Sequence, residues 1–297
     1  MADTLAASIA ESTQELIDAT ILMLPRYSPT LNLVTRRTIP KGKNVAELPY
    51  VNTIPTVATP TEGDELTFST EFDLASTTIT PTKRAIRVRV AAEAQHDSKE
   101  ALIAMISRWM AMAEANNIED ALVAQFPNFH VDNDVGTTDV DLLVSVLRRA
   151  RRLLAQVQPV NGGPAPAPIA VVLSPIAAEN LLADLGVQGV VASTSPWIPE
   201  GYSRELLQQY ALLSGGNTWQ QIGSGIFISS AINAATGDHI CAMFSKEGLY
   251  FAVSQDWDMK TFEESDYDGV ILRAIARYAA GIGPYSHFGA QITADGF

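Results

Sequence analysis

The stretch IPKGKNVAELPYVNTIPTVATPTEGDELTFSTEFDLASTTITPTKRAIRVRVAAEAQHDSKEALIAMISRWMAMAEANNIEDALVAQF (39–126) decides the fold. Its first part, Ile39 to Val90, is rich in Thr and Pro and reads as extended chain. Pro49 and Pro55 confine the β-prone run from Val45 to Ala58 to an edge or an irregular ribbon, because proline donates no ladder hydrogen bond. Leu66, Phe68, Thr70, Phe72 and Leu74 alternate with polar residues, as in a half-buried strand. Ile86, Val88 and Val90 alternate with Arg87 and Arg89 in another. Read together, the two runs predict a long two-stranded projection. Such a ribbon is marginal alone in water, so its apolar face needs a partner. That implies assembly between copies rather than catalysis.

The second part predicts one long amphipathic helix from about Asp97 to Gln125. Asp97 and Glu100 have capping-box spacing, and Pro127 ends the run. Leu102, Ile106, Trp109 and Ala113 form the expected buried stripe, with Met105 and Met112 beside it and Ile118, Leu122 and Phe126 continuing it. At 1.5 Å per residue the helix is about 42 Å long.

Outward from this stretch, residues 1–25 read as a short helix with Leu5, Ile9, Leu16 and Ile17 on one side and Pro25 at its end. A capped helix is expected at about Thr138 to Gln156, with Thr138 and Asp141 in the box positions. Asn161 to Pro168 has the composition of a linker. An α/β pattern follows: a buried strand at Ile169 to Leu173, a helix opened by Ser174-Pro175, a helix at Tyr202 to Leu213, and strands at Gly225 to Ser230, His239 to Phe244 and Leu249 to Ser254. Val270 to Gly281 and Phe288 to Ile292 read as extended.

Charge is unevenly placed along the 297 residues, whose net charge is −13. Residues 1–25 carry four acids and no base, whereas residues 26–96 carry nine Lys/Arg against seven acids. Residues 161–297 carry five bases against thirteen acids. The extended segment is thus the net-basic part of an acidic chain, which suits an arm lying on an acidic neighbour. It does not suit a chain built to grip nucleic-acid backbone, which needs a basic face. The run of about 18 apolar residues that a membrane helix needs does not occur. The N-terminal residues lack the basic and apolar regions of a secretory signal. Cys241 is the single cysteine, which excludes an intrachain disulfide and fits a reducing compartment.

Each chemical motif fails on spacing. Ser174 follows a strand and opens a helix, but its flanks are not G-x-S-x-G, so it reads as a helix cap. His96, His130, His239 and His287 share no ligand spacing. Glu264 to Gly269 begins like a calcium loop, but Ile275 stands at the twelfth position, where a bidentate Glu is needed. Arg148, Arg149, Arg151 and Arg152 lie in the last turns of a helix, where the macrodipole favours cations, and read as a dipole and interface cluster. Neither a phosphate-binding loop nor a dinucleotide fingerprint is present. Catalytic residues, metal and cofactor are all expected to be absent.

The run from Ile39 resembles the major capsid proteins of tailed double-stranded-DNA bacteriophages. The resemblance is carried by Gly42-Lys-Asn-Val45, Pro60-Thr-Glu-Gly-Asp64 and Ile79 to Val90, which continue into Ala92-Glu-Ala-Gln-His-Asp-Ser98. It is carried also by the close, Gly269-Val-Ile-Leu-Arg273 to Ala294-Asp-Gly296, and by the order of elements over nearly the whole chain. It implies the α+β shell fold shared with herpesviruses and encapsulin compartments. In those terms residues 1–38 are an N-terminal arm and 39–90 an E-loop. Residues 91–160 are a peripheral domain with its spine helix, 161–268 an axial domain, and 269–297 an extended return to the peripheral domain. Hexamers and pentamers would build an icosahedral head enclosing double-stranded DNA, helped by a separate scaffolding protein, a portal and decoration proteins. Lys41 and Lys43 would be the donors for the lysine–asparagine crosslink that some relatives make. The residues expected to meet neighbouring copies are Arg36, Arg37, Lys41, Lys43, Glu62, Asp64, Glu65, Phe68, Phe72, Arg84, Arg87, Arg89, Arg148, Arg149 and Arg152. An encapsulin-like compartment is the near alternative, and an α/β enzyme built on residues 169–297 the distant one.

Overall fold

A computed structural model describes residues 28–51, 74–156, 163–181, 218–219, 224–232, 237–264 and 269–295. The described strands are β1 (Thr35–Thr38), β2 (Ala46–Val51), β3 (Leu74–Ile79), β4 (Thr82–Ala91), β5 (Val135–Gly136), β6 (Ile169–Leu173), β7 (Thr218–Trp219), β8 (Ser224–Ile228), β9 (Asp238–Ser245), β10 (Leu249–Glu264), β11 (Gly269–Ile282) and β12 (Gly289–Asp295). Two long helices are described, α1 (Ala92–Val123) and α2 (Val144–Ala155). The chain divides into two units. One holds Met1–Ala46, Thr80–Ala124 and Phe251–Ala280, and the other Glu47–Ile79, Gln125–Tyr250 and Gly281–Phe297.

The first unit is built on a four-stranded sheet in the order β1-β10-β11-β4. β4 and β11 run antiparallel, with Val88 opposite Leu272 and Ile86 opposite Ala274. These alternate residues share one face. α1 buries Met110 against Leu272 and Ala274 there, with Ile86, Val88, Ile106 and Trp257 packed around them. The Tyr278 hydroxyl on β11 donates to Asn117 Oδ1 at 2.7 Å. Burial above all pushes that phenol up to about 12, which keeps it a neutral donor. A short 3-10 turn, Pro29–Leu33, lies against α1.

The second unit holds a six-stranded mixed sheet in the order β5-β12-β9-β6-β8-β7. β6 is buried at all five positions, as expected of a run of apolar, mostly β-branched residues inside a sheet. Ser174 then caps the helix at residues 175–181 by accepting from the Ala177 amide at 3.0 Å. α2 lies against β9 and β12 and buries Val144, Leu147, Ala150 and Leu154, a single helical face. Phe126, Phe129 and Phe244 stack in the core of this unit, with centroids 5.8–6.5 Å apart. Among the described residues β2 and β3 pair only with each other, on either side of residues 52–73 in the sequence.

Several elements depart from the sequence reading, each for a physical reason. α1 starts at Ala92, directly after β4, because Ala92-Glu-Ala-Gln carries good helix formers and no breaker. Its buried line is Ser107, Met110, Ala111, Glu114, Ala115, Ile118, Glu119 and Leu122. Trp109 is 70% exposed and lies outside this line. Ile118, Leu122 and Phe126 are buried as the stripe expected, whereas Met105, Trp109 and Ala113 are exposed, because two glutamates and a serine occupy the rest of the buried side. α2 starts at Val144, not near Thr138. Asp139 has a φ of 57°, which breaks any helix there, and its amide donates to Asp238 Oδ1 at 3.0 Å. Of the two extended runs read as a ribbon, residues 66–73 lie outside the described residues, and 86–90 lie in β4. β3 pairs with β2, and β4 with β11. The tail also divides, with β11 in the four-stranded sheet and β12 between β5 and β9. The helices read at 1–25 and Tyr202 to Leu213 lie outside the described residues.

Candidate assembly surfaces

α1 and β4 enclose an apolar groove of about 250 Å³, lined by Ile86, Val88, Met105, Ile106, Trp109, Met110 and Ala113. The cause is the rotation of α1 just described. Its buried line faces the sheet and the 3-10 turn, which leaves Met105 and Trp109 at the groove mouth. Met105 is 49% and Trp109 70% exposed. A tryptophan left this wet beside other apolar side chains marks a surface meant to be covered. Arg84 shares the groove-side face of β4 with Ile86 and Val88, and Arg108 neighbours Trp109 on the helix; both are exposed.

The opposite face of the same sheet is basic. Lys83 stands opposite Arg277, and Arg87 opposite Arg273, with Arg89 two residues on. The Arg273 guanidinium lies 4.7 Å above the Phe262 ring, a cation–π contact. On β1, Arg36 forms an exposed ion pair with Asp256.

The protein-family models contain no match to this chain, and neither do the curated proteins in sequence. Solved structures do match. The head structure of Helicobacter pylori bacteriophage KHP40 superposes with a TM-score of 0.65 at 8% identity, covering 91% of both chains. The capsid structure of cyanophage P-SCSP1u gives 0.60 at 15% identity, covering 88% of this chain and 86% of that one. A virus-like particle from Pyrococcus furiosus gives 0.58 at 10% identity, covering 95% and 98%. The chain has the tailed-phage capsid fold.

Within this capsid fold the residues expected at subunit contacts are dispersed. Arg36 and Arg37 lie exposed on β1, and Lys41 and Lys43 on the turn that follows, where Gly42 adopts a φ of 95°. Arg84, Arg87 and Arg89 lie exposed on β4, divided between its two faces. Arg148, Arg149 and Arg152 lie exposed on α2, in the second unit. Glu62, Asp64, Glu65, Phe68 and Phe72 lie outside the described residues, as does most of the calcium-like loop at 264–269. The groove formed by Met105 and Trp109 was missed. A Trp at a heptad-like position carries no mark that tells core from interface.

Two histidine pairings also escaped the sequence. His239 Nδ1 lies 2.7 Å from Ser174 Oγ, and the Ser174 amide donates to Cys241 Sγ at 3.4 Å. All three side chains are buried, so the pair is part of the helix cap and the core. His130 and His287 stack with centroids 3.5 Å apart. Beside them the Asn133 side-chain Nδ2 donates to the carbonyls of His287 and Gly289 at 2.9 and 3.1 Å, and the His130 backbone amide to that of Ser286 at 3.4 Å. These contacts bolt the 126–134 segment to the turn before β12. Burial, then the neighbouring His130, hold His287 below the usual histidine range. Among the described residues, three or more His, Cys, Asp or Glu side chains never gather as a metal site would need, and no helix is long and apolar enough to cross a membrane.

Proposed function

We propose that this chain is the structural shell protein of a phage head. Its copies assemble into hexamers and pentamers, and these close an icosahedral capsid around double-stranded DNA. The observation that supports this best is the likeness to a phage head structure and a phage capsid structure over about nine-tenths of both chains. A match over that share of the chain is more than a shared sub-motif.

In this reading β2 and β3 form the stem of the E-loop, residues 52–73 form its tip on an adjacent copy, and α1 is the spine. Head-to-tail contacts of this kind close into rings. An acidic protein suits a DNA container, because a repelling wall lets the packaged chain slide. A separate scaffolding protein, a portal and decoration proteins complete the assembly, which forms in the host cytoplasm and ends in the virion. The role is architectural, without catalysis. Replacing residues 52–73 by a short Gly-Ser turn tests this. The expected product is folded protein that no longer closes shells, and normal closed particles would refute the clasp.

The second reading is an encapsulin-like compartment that encloses protein; the likeness to a virus-like particle from Pyrococcus furiosus fits either shell. Nuclease-protected double-stranded DNA inside purified particles selects the first reading, and protein cargo without DNA the second.

A further inference from the structure

The apolar groove between α1 and β4 has a specific occupant. We infer that residues 1–25 of this same chain seat there, with their apolar stripe on Trp109 and Met105 and their acids towards Arg84 and Arg108. Three independent observations converge on it. The first is position: Ser28 and Thr30 are buried and hydrogen-bonded to Glu119 of α1, so the N-terminal segment leaves the described structure on the groove's own helix. Glu119 and Trp109 are ten residues apart on α1, about 15 Å along its axis. Twenty-five residues reach about 37 Å even when fully helical, so the groove lies well within range.

The second is pattern. Leu5, Ile9, Leu16 and Ile17 give the segment one apolar side, the complement of a groove lined by Ile86, Val88, Met105, Ile106, Trp109 and Ala113. The third is charge. Asp3, Glu11, Glu15 and Asp18 are unrelieved by any base up to Pro25, and the exposed cations beside the groove are Arg84 and Arg108. The short tether favours the same copy over a neighbour by raising the local concentration of the segment. The inference does not depend on the shell reading.

The test places the photoreactive residue p-benzoylphenylalanine at position 109 of the full chain, with position 105 as a second site. Both positions are exposed, so neither change disturbs the core. Irradiation and peptide mapping then report whatever covers the groove, and mixing isotope-labelled with unlabelled chain separates same-copy from between-copy links. Links to residues 1–25 of the same copy are expected, lost in a chain with Leu5, Ile9, Leu16 and Ile17 changed to Ser. Links to residues 52–73, to another copy, or to nothing in protein that circular dichroism shows to be folded would overturn the inference.

Discussion

The Ser28 hydroxyl donates to the carboxylate of Glu119 at 2.9 Å, across 91 positions of sequence. Thr30 adds its amide at 3.2 Å and its hydroxyl to the same carboxylate, and Glu119 is 1% exposed. A charge so placed is tolerable only with its donors. Glu119→Ala removes the acceptor and leaves two buried hydroxyls and an amide short of a partner. The expected cost is about 3 kcal/mol in urea unfolding, since a hydrogen bond to a charged group contributes about 1.5–3 kcal/mol. Glu119→Gln keeps an acceptor oxygen and should cost less. Equal losses in the two variants would show that the bonds do not carry the effect.

Gly136 pairs with Thr293 at the edge of the six-stranded sheet, with a φ of 92°. A Cβ there would overlap the Thr293 carbonyl. Backbone cannot step aside as a flexible side chain can, so Gly136→Ala meets both strain and clash. It should cost more than about 2 kcal/mol, in the class of core disruptions. A thermal midpoint unchanged from that of the parent would contradict the β5–β12 register.

Burial pushes the Cys241 thiol up to about 11. It is the chain's one cysteine. Native protein should therefore show no thiol reactive towards an aromatic disulfide reagent at neutral pH, and denatured protein one equivalent. Rapid labelling of native protein would show that β9 is not in the core.

His287, stacked on His130, gives stability a pH dependence whose sign follows from burial. His287 titrates below its ordinary value of 6.5, so below that pH the unfolded chain binds the proton first. Stability is then fully present above pH 6.5 and falls as the pH drops through it. The nearby charge of Asp132 opposes the shift without cancelling it. Urea midpoints at pH 7.5 and 5.5 should differ less in His287→Phe than in the parent. An equal or larger difference in the variant would remove His287 from the account.

Local features were legible where chemistry is local. Ile169 to Leu173 followed by Ser174-Pro175 announces a buried strand and a capped helix, and both are present. The long helix was legible from its lack of breakers, and so was the burial of Ile118 and Leu122, but not the side it buries before them. Glu114 and Glu119 look like solvent residues, and only the fold shows Ser28 and Thr30 arriving to satisfy Glu119. Pairings across long separations were out of reach, such as Val88 with Leu272, or His130 on His287. Alternation shows that a strand has an inner face, but not which strand lies beside it. For the same reason the basic run at 83–89 could be seen, but not that Arg273 and Arg277 extend it.

The measurement that tests the central claim most directly is electron microscopy of the purified full-length protein over a range of concentrations. The account predicts rings of five and six copies and closed icosahedral shells built from them. A protein that stays monomeric at every concentration, with neither rings nor shells in the field, would contradict it.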